Sequence, residues 1–181
     1  MKRSFITKVM NRMFAAERLL LYRQGAYVSQ PSPVTVTRAT AENIGDVLAF
    51  DTPDKLALYR QFLAEGETGY LGYLDGKCVH RSWVKRLPGK VQLHWALPLI
   101  LQKGEAYIHY CETAPTARGK NIFAHVLVLI REDYTQFSNV FICVNATNHA
   151  SIRSIEKAGF VLVRTYRILA LVNRLLYKQV R

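Results

Sequence analysis

The order of segments in this chain predicts an α+β fold, and three observations carry that prediction. A strong hairpin signal, Asp75-Gly76, stands between two strand-like runs, Gly69 to Leu74 and Lys77 to Lys85. Two later segments, Tyr107 to Ile130 and Val140 to Phe160, each read as a strand, a polar turn and a helix. The 181 residues, half of them hydrophobic, suffice for one substantial core and are short for two, so a single domain should hold these elements.

At the start, Phe5, Ile6, Val9, Met10, Met13 and Phe14 recur at helical spacing with basic residues between them. That pattern predicts a basic amphipathic helical extension over residues 1–28, either packed on the domain or lying on an anionic membrane surface. Lys8 and Arg12 interrupt any signal-peptide core, and no stretch has the length of a membrane span. The expected location is therefore cytoplasmic, with peripheral contact at the inner membrane surface as the sharper alternative. Residues 29–33, Ser29-Gln30-Pro31-Ser32-Pro33, form an extended connector to a domain spanning 34–181.

Within that domain, alternation and β-branching from Val34 predict a strand, followed by a helix over Ala41 to Phe50. Thr52 and Pro53 supply an N-cap and a first helical residue for the next helix, which Gly66 ends. Beyond the hairpin, Leu87 to Lys103 opens with a Pro-Gly turn and continues as an apolar run broken by Pro98. It reads either as a strand with a loop or as an inserted excursion carrying Trp95, which would cover the core or shape a pocket.

Charge is unevenly placed. The formal net charge is +12, and both ends are basic: Lys2, Arg3, Lys8, Arg12, Arg18 and Arg23 face one acid, Glu17, while the stretch from Arg164 to Arg181 holds none. An anionic partner or surface suits this distribution. Nucleic acid is disfavoured, because no aromatic platform is interleaved with the terminal cations. Cys78, Cys111 and Cys143 lie in apolar, strand-like settings without metal-ligand spacing, so reduced structural thiols and no metal are expected.

The segment from Tyr107 to Ile130 carries the most chemistry. A helix start leaves backbone N–H groups without intrahelical partners and presents the positive end of the macrodipole, so it suits an anion such as phosphate. Arg118, Gly119, Lys120 and Asn121 stand at that start. Glycine and asparagine tolerate positive φ, and the two cations add donors.

Two motifs carry a resemblance to a known family. P-x-x-R-G-K-N-I-F from Pro115 to Phe123 and N-x-x-S-I-x-x-I-E-K-A-G-F from Asn148 to Phe160 resemble the GCN5-related N-acetyltransferase (GNAT) superfamily, over about residues 34–168. The resemblance implies an α/β/α sandwich with a mixed, mostly antiparallel twisted sheet flanked by helices. It also implies acetyl-CoA as co-substrate and direct acyl transfer to a primary amine. Carried over residue by residue, Arg118, Gly119, Lys120, Asn121, Ile122 and Phe123 would hold the pyrophosphate. Cys111 and Thr113 would offer backbone groups to the pantetheine arm, with Asn148 beside it. Three departures stand out. Asn121 replaces the usual first glycine, Phe123 a usual Gly or Ala, and Ile155 occupies the position where many members carry a proton-donating Tyr.

Amine acylation needs a base, and the strand before the loop offers Glu112 and His109. Three residues apart, they point to opposite faces of a regular strand, so they serve one site only if a bulge intervenes. Glu112, nearer the coenzyme end, is preferred; His80 and Tyr110 stand in reserve. His149 reads as a surface helix-start residue, and Arg153 and Lys157 as solvated.

The resulting expectation is an acyl-CoA-dependent N-acyltransferase. Its acceptor would be a small-molecule amine, with basic flanks suiting an anionic or phosphorylated one such as an amino sugar or nucleotide sugar. The alternative is a non-catalytic domain that binds CoA or an anionic surface, which Ile155 and Phe123 keep open.

Overall fold

The computed structural model describes residues 14–26, 28–94, 97–171 and 174–180. Its ten strands are β1 (Phe14–Gln24), β2 (Thr35–Arg38), β3 (Thr68–Leu74), β4 (Lys77–Lys85), β5 (Gly89–His94), β6 (Leu97–Leu101), β7 (Glu105–Thr113), β8 (Asn139–Asn145), β9 (Phe160–Leu171) and β10 (Arg174–Val180). Three α-helices, α1 (Pro53–Ala64), α2 (Ile122–Asp133) and α3 (His149–Lys157), join short 3-10 turns at Ile44–Ala49 and Pro115–Ala117. Eight strands form one sheet in the order β10-β9-β1-β8-β7-β4-β3-β2, in which only β7 and β8 run parallel. This is the expected α+β architecture with a mixed, mostly antiparallel sheet.

Alternation along the strands divides two hydrophobic layers. Tyr70, Val84, Ala106, Ile108, Val140 and Ile142 pack on one face with α2 and α3. On the other face, Leu71 and Trp83 meet α1 and the Ile44–Ala49 turn. The remainder of that second face is covered by the β5–β6 hairpin, whose Val91, Leu97 and Leu101 bury Tyr107, Leu19, Leu21, Tyr166 and Ile168. Leu87 to Lys103 thus contributes a core-covering hairpin; Trp95 lies outside the described residues.

Local chemistry sets the boundaries. Asp75 and Gly76 both take positive φ, 51° and 73°, as a two-residue hairpin turn requires. The helix expected over 41–50 is a 3-10 turn beginning at Ile44, because Asn43 bonds Thr40 N–H and the Arg38 carbonyl and so competes with helical pairing. Gly159, at φ 80°, ends α3 where a Cβ would stand 2.0 Å from the Ala26 carbonyl oxygen, so no other residue fits.

One expectation is corrected. Residues 1–13 lie outside the described residues, but Phe14–Gln24 of the anticipated helical extension form strand β1, inserted antiparallel between β8 and β9. Leu19, Leu20, Leu21 and Tyr22 are all buried, alternately against both faces of the sheet. A strand covered on both sides has no polar alternation to reveal it.

Candidate active site

The parallel pairing of β7 with β8 spans Glu105–Ile108 against Asn139–Ile142 and goes no further, so the strands part beyond Ile108. At the parting, β7 carries a bulge. Arg81 and Trp83 of β4, two apart, stand opposite Glu112 and His109, three apart. Tyr110 takes φ 47°, an uncommon value for a bulky side chain. Because directly opposite residues share a face, His109 follows Trp83 and Glu112 follows Arg81 onto the α1 side of the sheet. The bulge therefore supplies what a regular strand forbids, both candidates on one face.

A buried cation holds this kink. Arg81 is 3% exposed and donates from Nη1 to the Tyr110 carbonyl and from Nε to Asp51 Oδ2 at 2.7 Å, with its guanidinium 4.7 Å from the Tyr59 ring centre. Tyr59 Oη and Lys55 Nζ bring two more donors to Asp51, at 2.7 and 2.9 Å. Burial pushes the Asp51 carboxyl up, but hydrogen bonds from Tyr59, Lys55 and Arg81 outweigh it and keep it well below the usual carboxylate range. Neither Arg81 nor Asp51 was singled out from the sequence.

His109 lies half-buried between Phe62, Tyr107 and Tyr110, with Nε2 2.8 Å from Glu67 Oε2. With Glu67 Oε2 accepting a hydrogen bond from Nε2–H, the neutral ring keeps its lone pair on Nδ1. Glu67 too went unnoticed in the sequence, since it sits in a turn 42 residues away. Glu112, in contrast, is ion-paired with Arg118 at 3.1 Å in an exposed position.

Beyond the strand, the loop has the expected backbone. Gly119 and Asn121 take φ 83° and 59°, Asn121 precedes α2 in the left-handed region, and no side chain caps the helix. The first N–H groups of α2 consequently have no intrahelical partner, and nothing stands within 4 Å of where a Gly119 Cβ would be. The Asn121 side chain is turned to the connector, donating to Gln30 Oε1 and the Pro31 carbonyl and accepting from Lys157 Nζ. Lys157 is thereby engaged, where solvent was expected. Lys120 is tied through its carbonyl to Ser32 Oγ at 3.0 Å. Arg118 folds back onto β7, bonding the Thr113 carbonyl as well as Glu112.

The departing residues also have places. Ile122 is buried, and the Phe123 ring turns inward toward His80, 5.8 Å between centres, leaving its backbone at the loop. Ile155, 1% exposed, fills the core beneath α3, and its own side chain has no proton to offer. Asn148 caps α3 by accepting from Ser151 N–H at 3.1 Å, and His149 is exposed at the first helical position. Cys111 packs against the α2 side, and Thr113 Oγ1 meets His80 Nδ1 at 2.7 Å. Burial pushes the thiols of Cys78 and Cys111 up to about 11 and that of Cys143 up to about 12, so all three stay protonated at neutral pH. Among the described residues no cluster has metal-ligand geometry, and no helix is long and apolar enough to cross a membrane.

No family profile matches the sequence, and no curated relative does. Solved structures do match. A GNAT-family acetyltransferase from Colwellia psychrerythraea aligns with a TM-score of 0.64 at 16% identity, over 93% of this chain and 60% of that one. A GCN5-related glucosamine N-acetyltransferase region of a fungal multi-domain GH3 β-N-acetylglucosaminidase aligns at 0.62 and 11%, over 91% and 22%. An aminoglycoside 6'-N-acetyltransferase from Acinetobacter haemolyticus aligns at 0.52 and 14%, over 70% and 90%. The chain spans about three-fifths of the length of the Colwellia protein. Its fold is that of the GNAT superfamily.

Proposed function

We propose that this chain is an acyl-CoA-dependent N-acyltransferase, using acetyl-CoA most directly, that passes the acyl group straight to a primary amine. One observation carries the reading: two parallel strands part at a bulge, and the first of them leads into an uncapped helix through two residues of positive φ. The parting suits an extended pantetheine arm beside the backbone of Cys111 and Thr113. The start of α2, from Ile122 and Phe123, suits a pyrophosphate. Gly119 leaves the approach open, and Arg118 and Lys120 add positive charge. Asn148 has its oxygen engaged in the cap, so its amide nitrogen is the donor it can offer.

In this reading His109, oriented by Glu67, is the base. It receives a proton from the amine as the N–C bond to the acyl carbon forms and the C–S bond breaks. Glu112, tethered to Arg118, then serves the loop more than the chemistry. With Ile155 in the core, the coenzyme thiolate leaves without an acid from α3. That same feature favours the second reading, a non-catalytic CoA-binding domain. The acceptor is a small-molecule amine, an amino sugar or nucleotide sugar among the candidates, and the protein works in the cytoplasm.

Titration calorimetry with acetyl-CoA, paired with thiol release over a panel of amines and amino sugars, tests both readings. Arg118→Ala is expected to weaken coenzyme binding several-fold, and His109→Gln to abolish thiol release while sparing binding. Binding with no turnover by any acceptor would favour the non-catalytic domain, and absence of binding would overturn both.

A further inference from the structure

Because β7 and β8 are parallel, both finish at one end of the sheet, where the loop 118–121 and the start of α3 lie. β1 is antiparallel to β8, and β9 to β1, so β1 begins and β9 finishes at that same end, and β10 starts there. Register across these three strands sets Arg18 opposite Arg167, and Arg167 opposite Lys178. Like charges placed directly opposite on a sheet repel one another. Among the described residues no acidic side chain is paired with Arg18 or Arg167, so the fold itself gains nothing from the row.

The face bearing the row is open. Tyr166 and Ile168 point the other way and are buried with Leu97, while Arg18 and Arg167 are exposed and Leu169, two residues further along the same face, is 49% exposed. The sequence of residues 1–13, just before β1, holds Lys2, Arg3, Lys8 and Arg12 and no acid. An exposed cationic surface with an apolar side chain beside it complements anionic headgroups over an acyl layer. A second copy is the wrong occupant, since symmetric docking would bring cations onto cations. Nucleic acid is a poorer one, because no aromatic ring stands in the row to stack on a base.

We propose that this end of the sheet docks on an anionic lipid surface through Arg18 and Arg167. The docking stands on register and charge alone. Its consequence, that the amine acceptor is presented at that surface, rests on the acyltransferase reading.

The test is sedimentation of the full chain with vesicles of phosphatidylglycerol mixed with phosphatidylcholine, against pure phosphatidylcholine, at low and high salt. The expected result is binding to the anionic vesicles only, weakened by salt, and reduced about tenfold or more in Arg18→Ser/Arg167→Ser. That variant should keep its melting temperature and its acetyl-CoA affinity; Arg167→Gln alone serves if the pair fails to fold. No binding to anionic vesicles, equal binding by the variants, or tighter binding to duplex DNA would overturn the proposal. So would a parallel loss of coenzyme affinity in the variants, which would assign the row to the coenzyme. Vesicle binding by a wild-type chain that does not bind acetyl-CoA would sink the acyltransferase reading and leave the docking intact.

Discussion

His80 is fully enclosed, with Nδ1 2.7 Å from Thr113 Oγ1 and Nε2 2.8 Å from Ser82 Oγ. Burial, reinforced by the charge of Arg81, pushes its pKa down to about 3. A histidine whose folded pKa is depressed stays neutral in the native state while the unfolded chain takes up a proton. Its contribution to stability is therefore complete above about pH 6.5 and is lost as pH falls toward 3, by a few kcal/mol on the order of its shift. Denaturant midpoints measured from pH 7 to pH 4 should show this decline. His80→Gln, which keeps hydrogen-bonding capacity without titrating, should flatten it; an unchanged slope would place the acid sensitivity elsewhere. The reading of His80 as a reserve contact for the acceptor failed because β4 is buried on both faces from His80 to Val84. Alternation, the usual guide to which way a strand residue points, is silent there. Glu67 was invisible for a different reason: nothing in a turn glutamate announces a histidine distant in sequence. Gly119 and Asn121 were legible because positive φ restricts residue choice strongly.

At the scale of elements, the bulge is what turns a sheet into a site. It depends on Arg81, whose guanidinium ties the Tyr110 carbonyl to Asp51 across two strands and the start of α1. Arg81→Met should leave Asp51 buried with only Tyr59 and Lys55, at a cost of about 3 kcal/mol, as when one partner of a buried ion pair is removed. Chemical denaturation measures that cost. If the bulge also aligns His109, thiol release should fall by more than acetyl-CoA affinity does; proportional losses would mean that Arg81 only stabilises. The sequence made the strand, loop and helix recognisable, since each has periodic or capping signals. It could not locate the bulge, because Tyr110 is an ordinary strand residue forced into φ 47° by a partner on β4. The 3-10 turn at Ile44–Ala49 escaped likewise, where side-chain bonds of Asn43 override a helical pattern. The β5–β6 hairpin hid behind Pro98, which an edge strand tolerates.

For the molecule as a whole, β1 matters most. Deleting residues 1–28 should not yield a trimmed domain: it strips β8 and β9 of the partner between them and removes Leu19, Leu20, Leu21 and Tyr22 from two hydrophobic layers. The truncated chain is expected to be insoluble or to lack a cooperative melting transition, and a folded product with native circular dichroism would refute this. The fold class was readable from element order, yet β1 was not, because its pairing partners lie far downstream. Tyr22, for example, donates to Glu156, 134 residues later. That separation shapes how the protein comes into being. During synthesis β1, carrying a run of leucines, leaves the ribosome long before β8 and β9, its neighbours in the sheet. Until they arrive, that run has nothing native to pair with and is the part of the nascent chain most in need of a chaperone's shelter. The sheet around β1 then closes only when β8 and β9 return to flank it.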